Sequence, residues 1–282
     1  EPDAGTVLVL GGTGKTGRRV AERLRARGVG TRIASRSGDP SFDWNDPATW
    51  DAALDGVTAA YVTYAPDLAI PGATDAIRAF VDKAVGQGVR RLVLLSGRGE
   101  EEAQACERIV QASGAEWTVV RASWFNQNFS EGEFLGMVLE GTITLPAAEV
   151  PEPFVDVDDI AEVAVAALTE EGHAYEIYEV TGPRLLTFRQ AAEEISRAAG
   201  REVRFAEIPR EAFAAGIAES GAPDDIAWLL NYLFETVLDG RNAHVRDGVK
   251  RALGRPATDF ADYARRVAAT GVWNAGEREA TA

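Results

Sequence analysis

The sequence predicts an α/β fold, in which helices cover both faces of a doubly wound parallel β-sheet. Short apolar segments typical of buried strands alternate with segments in which apolar residues recur every three or four positions, as in helices. The segment RRLVLLS (90–96) is nearly uniformly apolar, as expected for a parallel strand that is covered on both faces. Alternation of this kind indicates successive β-α-β units.

The first half of the chain supplies most of the sheet. A strand at 6–10 precedes a helix at 15–28, which presents Val20 and Leu24 on one face and ends at Gly28. Further strands are predicted at 31–36, 42–44, 58–64, 90–96 and 116–121. Three helices lie between these strands. The first begins at Asp46 and Pro47, the second carries the apolar stripe Ile77, Phe80, Val81 and Ala84, and the third spans 100–113.

The second half begins with a helix at 157–168 and a last strand at 174–181, and is then mostly helical. Thr187 and Gln190 have the spacing of a capping box, and helical patterns recur near 209–219, 223–239 and 257–269. Residues 122–155 are aromatic and irregular. We therefore expect a nucleotide-binding domain over 1–157, with a cleft-lining insert at 122–155. Residues 158–282 should form the last sheet unit and a small, mostly helical C-terminal cap.

The composition excludes several function classes. The 282 residues carry a formal net charge of −15, which argues against nucleic acid and anionic membranes as partners. One cysteine, Cys106, and two histidines leave no ligand cluster for a transition metal, so no metal site is expected. Neither a signal peptide nor an apolar run of about 18 residues is visible, and we expect a cytoplasmic protein.

The segment VLVLGGTGKTGRRV (7–20) resembles a nucleotide-binding loop, and its spacing decides which kind. The phosphate loop of ATPases requires a glycine five positions before the Gly14-Lys15 pair, and that position is Val9. The spacing that does hold is Gly11, Gly14 and Gly17, between a strand and a helix. This pattern is typical of a dinucleotide-binding turn.

Each glycine has a separate physical task in this hypothesis. Gly11 allows a tight turn out of the strand, Gly14 lets a pyrophosphate approach the amide end of the helix, and Gly17 permits close packing of helix and strand. The Thr13 hydroxyl can reach phosphate. The alternative is a glycine turn that only packs.

The end of the next strand, ASRSG, favours NADP(H) over NAD(H) as the cofactor. An NAD site requires a carboxylate there for the ribose 2′-hydroxyl, and this position offers Arg36 and Ser37 instead. Arg36 can bind a 2′-phosphate through two hydrogen bonds, and Lys15 adds a positive charge. Asp43 is a candidate acceptor for the adenine amino group or, equally, a turn residue.

Five segments resemble the NmrA-like group of atypical short-chain dehydrogenases: VLVLGGTGKTG, RLVLLSG, WTVVRASWFNQNF, FVDVDDIAEVAVAAL and YEVTGPRLLTF. The resemblance covers about 6–270, and the segment LFETVLDGRNAHVRDGVKRALGRPATDFADYA resembles the branch that contains the fungal ergot-alkaloid reductases. It implies a Rossmann-like sheet of about seven strands, with NADP(H) at its C-terminal edge and a substrate cleft under the cap.

The resemblance also assigns residues to the cofactor. Gly11, Thr13, Gly14, Lys15, Thr16, Gly17 and Arg36 match the cofactor loop by position. Thr63 and Tyr64 follow the strand after which the family's chain passes the nicotinamide ribose. Ser96 matches the catalytic serine of the wider dehydrogenase group.

The usual Tyr-x-x-x-Lys pair of that group is absent, because the helix that should carry it reads EEEAQACERIVQASG. Without this acid, acceptors that are already activated become favoured, such as an iminium, a quinone or an enone. Tyr64, Ser96 and Asn126 are the catalytic candidates, and Tyr61 is another donor near the same strand ends. The candidate substrate residues are Trp124, Phe125, Asn128, Phe154 and His244, since aromatic and amide groups suit a flat apolar ligand.

The sequence leaves three functions open. The first is an NADPH-dependent reductase of a small aromatic or polycyclic substrate in secondary metabolism. The second is a non-catalytic NAD(P)-sensing regulator of the NmrA type, which the absent Tyr-x-x-x-Lys pair favours. The third is an NADP-dependent isomerase or tailoring enzyme. The oligomeric state also stays open, with a homodimer as one candidate.

Overall fold

The computed structural model describes residues 5–147 and 149–274, which form two compact units. The sheet unit comprises the chain up to Ala122, Val157–Val180 and Asp247–Pro256, and the helical unit comprises Ser123–Asp156, Thr181–Arg246 and the chain from Ala257. The sequence predicts consecutive segments, 1–157 and 158–282. Each unit is instead assembled from three separate segments.

The sheet unit contains the doubly wound parallel sheet that the sequence predicts. Its strands are β1 (Thr6–Leu10), β2 (Thr31–Ala34), β3 (Val57–Val62), β4 (Arg91–Gly97), β5 (Glu116–Ala122) and β7 (Glu176–Val180). They lie in the order β2-β1-β3-β4-β5-β7, and every neighbouring pair is parallel. The chain therefore winds outward from β1 in one direction and then returns to build the sheet in the other.

The helices of this unit are α1 (Lys15–Ala26), α2 (Trp50–Leu54), α3 (Ala73–Gly86), α4 (Glu101–Gln111), α7 (Val157–Thr169) and α11 (Gly248–Leu253). The predicted apolar stripes are buried: Val20 and Leu24 on α1, and Ile77, Phe80, Val81 and Ala84 on α3. Two arginines of α1, Arg19 and Arg23, bind Asp158 of α7 at 3.2 and 2.9 Å and fix these helices side by side.

The strand predicted at 42–44 is wrong. Phe42 is buried against Trp50 and Phe80, and Asp43 accepts a hydrogen bond from the Trp50 indole at 2.8 Å. The segment is a turn that leads into a short 3₁₀ helix, Pro47–Thr49, whose first free amides are capped by Asp46. The apolar–polar–apolar alternation therefore arises from packing on α2 and α3 rather than from pairing in the sheet.

The helical unit contains α5 (Asn128–Glu131), α6 (Leu135–Glu140), α8 (Phe188–Ala199), α9 (Arg210–Glu219), α10 (Asp224–Tyr232), a π-helical turn (Leu233–Val237) and α12 (Phe260–Ala268). The predicted capping box of Thr187 and Gln190 is confirmed at the start of α8. Within the described residues, no helix is long and apolar enough to span a membrane.

Two short strands of the helical unit were not predicted. β6 (Thr142–Leu145) and β8 (Arg204–Glu207) pair in parallel as a separate sheet. Four-residue strands give too few positions to show a pattern. Because β6 and β8 form a sheet of their own, the main sheet of the described chain has six strands, whereas the family resemblance implies about seven.

Candidate active site

The strand order reverses between β1 and β3, and this switch point is where doubly wound sheets bind their ligands. The residues that end these two strands are joined by a hydrogen bond. The Thr63 hydroxyl donates a hydrogen bond to the Leu10 carbonyl at 3.1 Å. Gly11 follows with a φ of +60°, and a Cβ at this position would lie 2.6 Å from the Thr63 hydroxyl oxygen. The turn out of β1 therefore requires glycine for both conformation and space.

The glycine loop leaves the amide end of α1 open. Gly14 is the N-cap of α1 and is exposed, so no side chain satisfies the first free amides, and the first turn holds no acidic residue. Gly17 is buried against the loop, and a Cβ there would lie 2.1 Å from the Gly11 carbonyl oxygen. These close contacts keep the loop beneath the positive end of the helix dipole, where an anion is stabilised.

The threonines of this loop face different surroundings. Thr13 is exposed, as a phosphate-binding hydroxyl must be. Thr16 is buried, and its hydroxyl accepts a hydrogen bond from the Tyr61 hydroxyl at 2.9 Å. Burial holds the pKa of Tyr61 well above its usual value. The Tyr61 hydroxyl therefore already donates a hydrogen bond inside the sheet unit and is a poor proton donor for a ligand.

Two cations near this edge have no partner in the part of the chain that the structure describes. Arg36 is exposed in the turn after β2, next to exposed Ser37, and its guanidinium makes no ion pair. The Lys15 ammonium, at the start of α1, is likewise unpaired. The Asp43 carboxylate accepts the Asn45 amide at 2.9 Å, which is the turn role that the sequence left as its alternative.

The catalytic candidates of the sheet unit end neighbouring strands. Tyr64, after β3, is half-buried and packs against Trp44 at 5.1 Å between ring centroids. Burial raises the pKa of its hydroxyl, for which the described residues provide no hydrogen-bond partner. Ser96, on β4, is 4% exposed, and its hydroxyl also lacks a partner within residues 5–147 and 149–274. Buried polar atoms without partners are uncommon and call for a ligand or a water.

Sequence reasoning missed a pair of buried carboxyl groups beside Ser96. Asp67 follows β3 and Glu100 follows β4, and each carboxyl group shifts the pKa of the other. Glu100 is 5% exposed, and the Asp67 carboxylate also accepts the Ala69 amide at 2.8 Å. The signal that could have found them is that both follow adjacent parallel strands, whose C-terminal ends meet at one edge.

The helical unit carries the remaining catalytic candidate. Asn126 is fully buried, and its backbone amide donates to the Val155 carbonyl at 2.9 Å. Neither the oxygen nor the nitrogen of its side-chain amide has a hydrogen-bond partner among the described residues. An unpaired buried amide costs about 1–3 kcal/mol, so this group is poised to accept a ligand or a water.

The predicted substrate residues do not share one environment. Phe154 is 2% exposed and packs against Phe129, Phe188 and Phe260, so it lies in the aromatic core of the helical unit. Trp124 is only half-buried, and its ring packs against those of Phe134, Phe188 and Phe234. Phe125, Asn128 and His244 are half-buried as well.

Comparison with known proteins identifies the group to which this fold and glycine loop belong. A model of the NmrA-like family matches residues 3–263. The chain belongs to the NmrA-like family. The resemblance to the ergot-alkaloid branch is confirmed, because this NmrA-like protein is 33% identical to agroclavine dehydrogenase of Claviceps fusiformis, over 92% of this chain and 96% of that protein.

Other similar proteins act on different substrates. The NmrA-like chain is 31% identical to an NAD(P)H azoreductase of Xenophilus azovorans, over 93% of this chain and 98% of that protein. The structure of Citrobacter sp. triphenylmethane reductase complexed with NADP(H) superposes with a TM-score of 0.79 and 19% identity, covering 93% of this chain and 99% of that one. At this identity the superposition shows a common fold.

Proposed function

We propose that this protein is an NADPH-dependent reductase of a small aromatic or polycyclic acceptor. The observation that carries the proposal is the open amide end of α1, framed by Gly11, Gly14 and Gly17. The relatives named for NAD(P)H-dependent reduction and for clavine oxidoreduction support the same chemistry.

The residues at this edge fit NADP(H). The exposed amides of the glycine loop suit the pyrophosphate, and the unpaired Arg36 guanidinium with Ser37 suits a 2′-phosphate. Lys15 adds a second positive charge at the same helix end. Thr63, which orders the ends of β1 and β3, is proposed to lie near the nicotinamide ribose. Asp43, one of whose carboxylate oxygens accepts the Asn45 amide, is proposed to lie near the adenine. When bound, the cofactor supplies a hydride to the acceptor.

The acceptor class follows from what α4 lacks. Glu101–Gln111 contains neither tyrosine nor lysine, so the proton donor of the wider dehydrogenase group is missing. Cationic acceptors such as an iminium need only a hydride, and conjugated acceptors such as quinones spread the added charge. Tyr64, Ser96 and Asn126 are proposed to contact the reacting groups, since each presents a buried or half-buried polar atom without a partner among the described residues.

The substrate-contacting role of Trp124, Phe125, Asn128 and His244 stays a prediction. Trp124 supports it best, because its half-buried ring offers an apolar plane for a flat ligand. The enclosure of Phe154 in the aromatic core favours a supporting role for that residue.

Reduction assays with a defined panel distinguish a reductase from an NAD(P)-sensing regulator. NADPH oxidation is followed with menadione, 2-cyclohexenone, an N-methyl-3,4-dihydroisoquinolinium salt and crystal violet, and cofactor binding is measured separately by calorimetry. Turnover of at least one acceptor supports the reductase. Tight binding of both NADPH and NADP⁺ with no turnover of any acceptor would favour the regulator.

A further inference from the structure

Asp67 and Glu100 form a carboxyl pair at the same edge as the glycine loop. Their strands, β3 and β4, are hydrogen-bonded neighbours, and both side chains leave the C-terminal end of the sheet. Glu100 stands over Gly97, where a Cβ would lie 2.5 Å from one carboxyl oxygen of Glu100 and 2.8 Å from the other. Only a residue without a side chain lets this carboxyl reach the strand end.

Two buried carboxylates that interact in this way repel each other, so the pair is more stable when it holds a proton. One carboxyl oxygen of Glu100 is buried and receives no donor from the described part of the chain. The charges that act on Glu100 are carboxylates, from Asp67 and from Glu102 and Glu107 of α4. Burial and this repulsion raise the pKa of Glu100 well above its usual value, which favours a proton on the pair.

A purely structural role does not account for Glu100. An acidic residue at a helix N-cap is normally explained by hydrogen bonds to the free amides of the first turn. Glu100 occupies the N-cap position of α4, and no side-chain cap hydrogen bond is formed. Glu107 of the same helix differs from Glu100, because Arg121 donates hydrogen bonds to both of its carboxylate oxygens, at 2.8 and 2.6 Å.

The buried Ser96 hydroxyl is an independent sign that this strand end serves a ligand. It lies next to Gly97, is 4% exposed, and has no hydrogen-bond partner within the described ranges. A serine that only packs would be expected to bond to a nearby carbonyl. The Asp67–Glu100 pair and the unpaired Ser96 hydroxyl therefore both lie at the C-terminal end of β4.

We propose that the Asp67–Glu100 pair is the proton reservoir of this reductase, in place of the missing Tyr-x-x-x-Lys pair, and that Ser96, linked to the pair through water, passes the proton to the substrate. The proposal rests on the proposed reductase function. Glu100 acts through Ser96 and is a positioning residue in this scheme, whereas Ser96 contacts the substrate.

A neutral acceptor takes up both a hydride and a proton. An enone that receives a hydride at its β-carbon forms a C–H bond, and the displaced π-electrons move to its oxygen. Ser96 gives its proton to that oxygen. A water molecule between Ser96 and the carboxyl pair carries a proton from the pair back to the Ser96 oxygen, since Ser96 makes no direct hydrogen bond to the pair. The pair is left with one more negative charge until it takes a proton from the solvent. NADPH is oxidised to NADP⁺. A cationic acceptor becomes neutral on receiving the hydride and takes no proton.

The test compares neutral and cationic acceptors in Glu100→Gln, with Glu101→Gln as the matched control. Glu101 is exposed in the first turn of the same helix. In Glu100→Gln, kcat with menadione or 2-cyclohexenone should fall by about 10²-fold or more, the contribution typical of a positioned acid. Reduction of crystal violet should be unchanged. Ser96→Ala should give the same split, and Glu101→Gln should match the wild type with every acceptor.

A second readout needs neither cofactor nor substrate. The infrared spectrum of the apoprotein near neutral pH should contain the carbonyl stretch of a protonated carboxyl group, and the band should disappear in Glu100→Gln. It should also disappear in Asp67→Asn, because an amide can donate to Glu100 without a shared proton. Thermal unfolding of each variant verifies that it is folded.

The outcomes separate this proposal from the proposed function. Equal loss with both acceptor types, no loss with either, turnover of the cationic acceptor alone, or a missing carboxyl band overturns the proton reservoir while the reductase stands. A carboxyl band without turnover of any acceptor overturns the reductase function and, with it, the reservoir role.

Discussion

The close contact between Gly17 and the Gly11 carbonyl provides a direct test of the cofactor loop. Gly17→Ala would place a Cβ 2.1 Å from the Gly11 oxygen and 2.6 Å from its carbonyl carbon, so backbone atoms must move. Overpacking of this kind costs about 1–3 kcal/mol. The gain in helix propensity offsets roughly 0.5–1 kcal/mol of that cost. The net loss is about 1 kcal/mol, which corresponds to a Tm lower by roughly 2–4 °C.

The same displacement should weaken cofactor binding. Loss of one hydrogen bond to a charged phosphate costs about 1.5–3 kcal/mol, which is roughly a 10- to 100-fold loss of NADPH affinity. Gly86→Ala is the matched control, since Gly86 is also helical and a Cβ there meets nothing within 4 Å. It should leave affinity unchanged and raise the Tm slightly. If Gly17→Ala binds NADPH as tightly as the wild type in isothermal titration calorimetry, the glycine loop does not hold the cofactor.

Three further predictions concern stability and ligand binding. Arg266→Ala should lower the free energy of unfolding by about 2 kcal/mol in urea titrations, because Arg266 binds the fully buried Asp156 at 2.6 Å. Arg265→Ala, which removes only an exposed pair, should cost less than about 1 kcal/mol, and equal losses would contradict this account. Glu100→Gln should gain Tm relative to the wild type as pH rises from about 5 to about 9. The raised folded-state pKa of Glu100 stabilises the wild type at low pH, and this stabilisation is lost as pH rises through that pKa; a constant difference would contradict it. Asn126→Leu should raise stability by roughly 1 kcal/mol, since it removes an unpaired buried amide, and should raise the KM of at least one ligand; unchanged kinetics would remove Asn126 from the site.

The parts of the fold that could be predicted from the sequence depend on local interactions. The spacing of Gly11, Gly14 and Gly17 requires only one strand, one turn and one helix, and the capping box of Thr187 and Gln190 requires four consecutive residues. In both cases the residues that interact are close in sequence. The sequence pattern alone therefore predicts the local geometry of the glycine loop and of the capping box.

The features that the sequence did not reveal depend on distant neighbours. Phe42 alternates with a polar residue as in a strand, but its ring packs on Trp50 and Phe80. The carboxyl pair joins residues 33 positions apart, and it exists only because β3 and β4 are neighbours in the sheet. A sequence pattern shows which residues are apolar or acidic, whereas the sheet order decides which of them meet.

The proposed function requires NADP(H) to bind at the amide end of α1, with Arg36 holding its 2′-phosphate. Isothermal titration of NADPH and NADH into the wild type and Arg36→Asp tests it most directly. NADPH should bind the wild type about 10- to 100-fold more tightly than NADH, and Arg36→Asp should abolish this difference. No heat with either coenzyme, or the same preference in both proteins, would contradict the account.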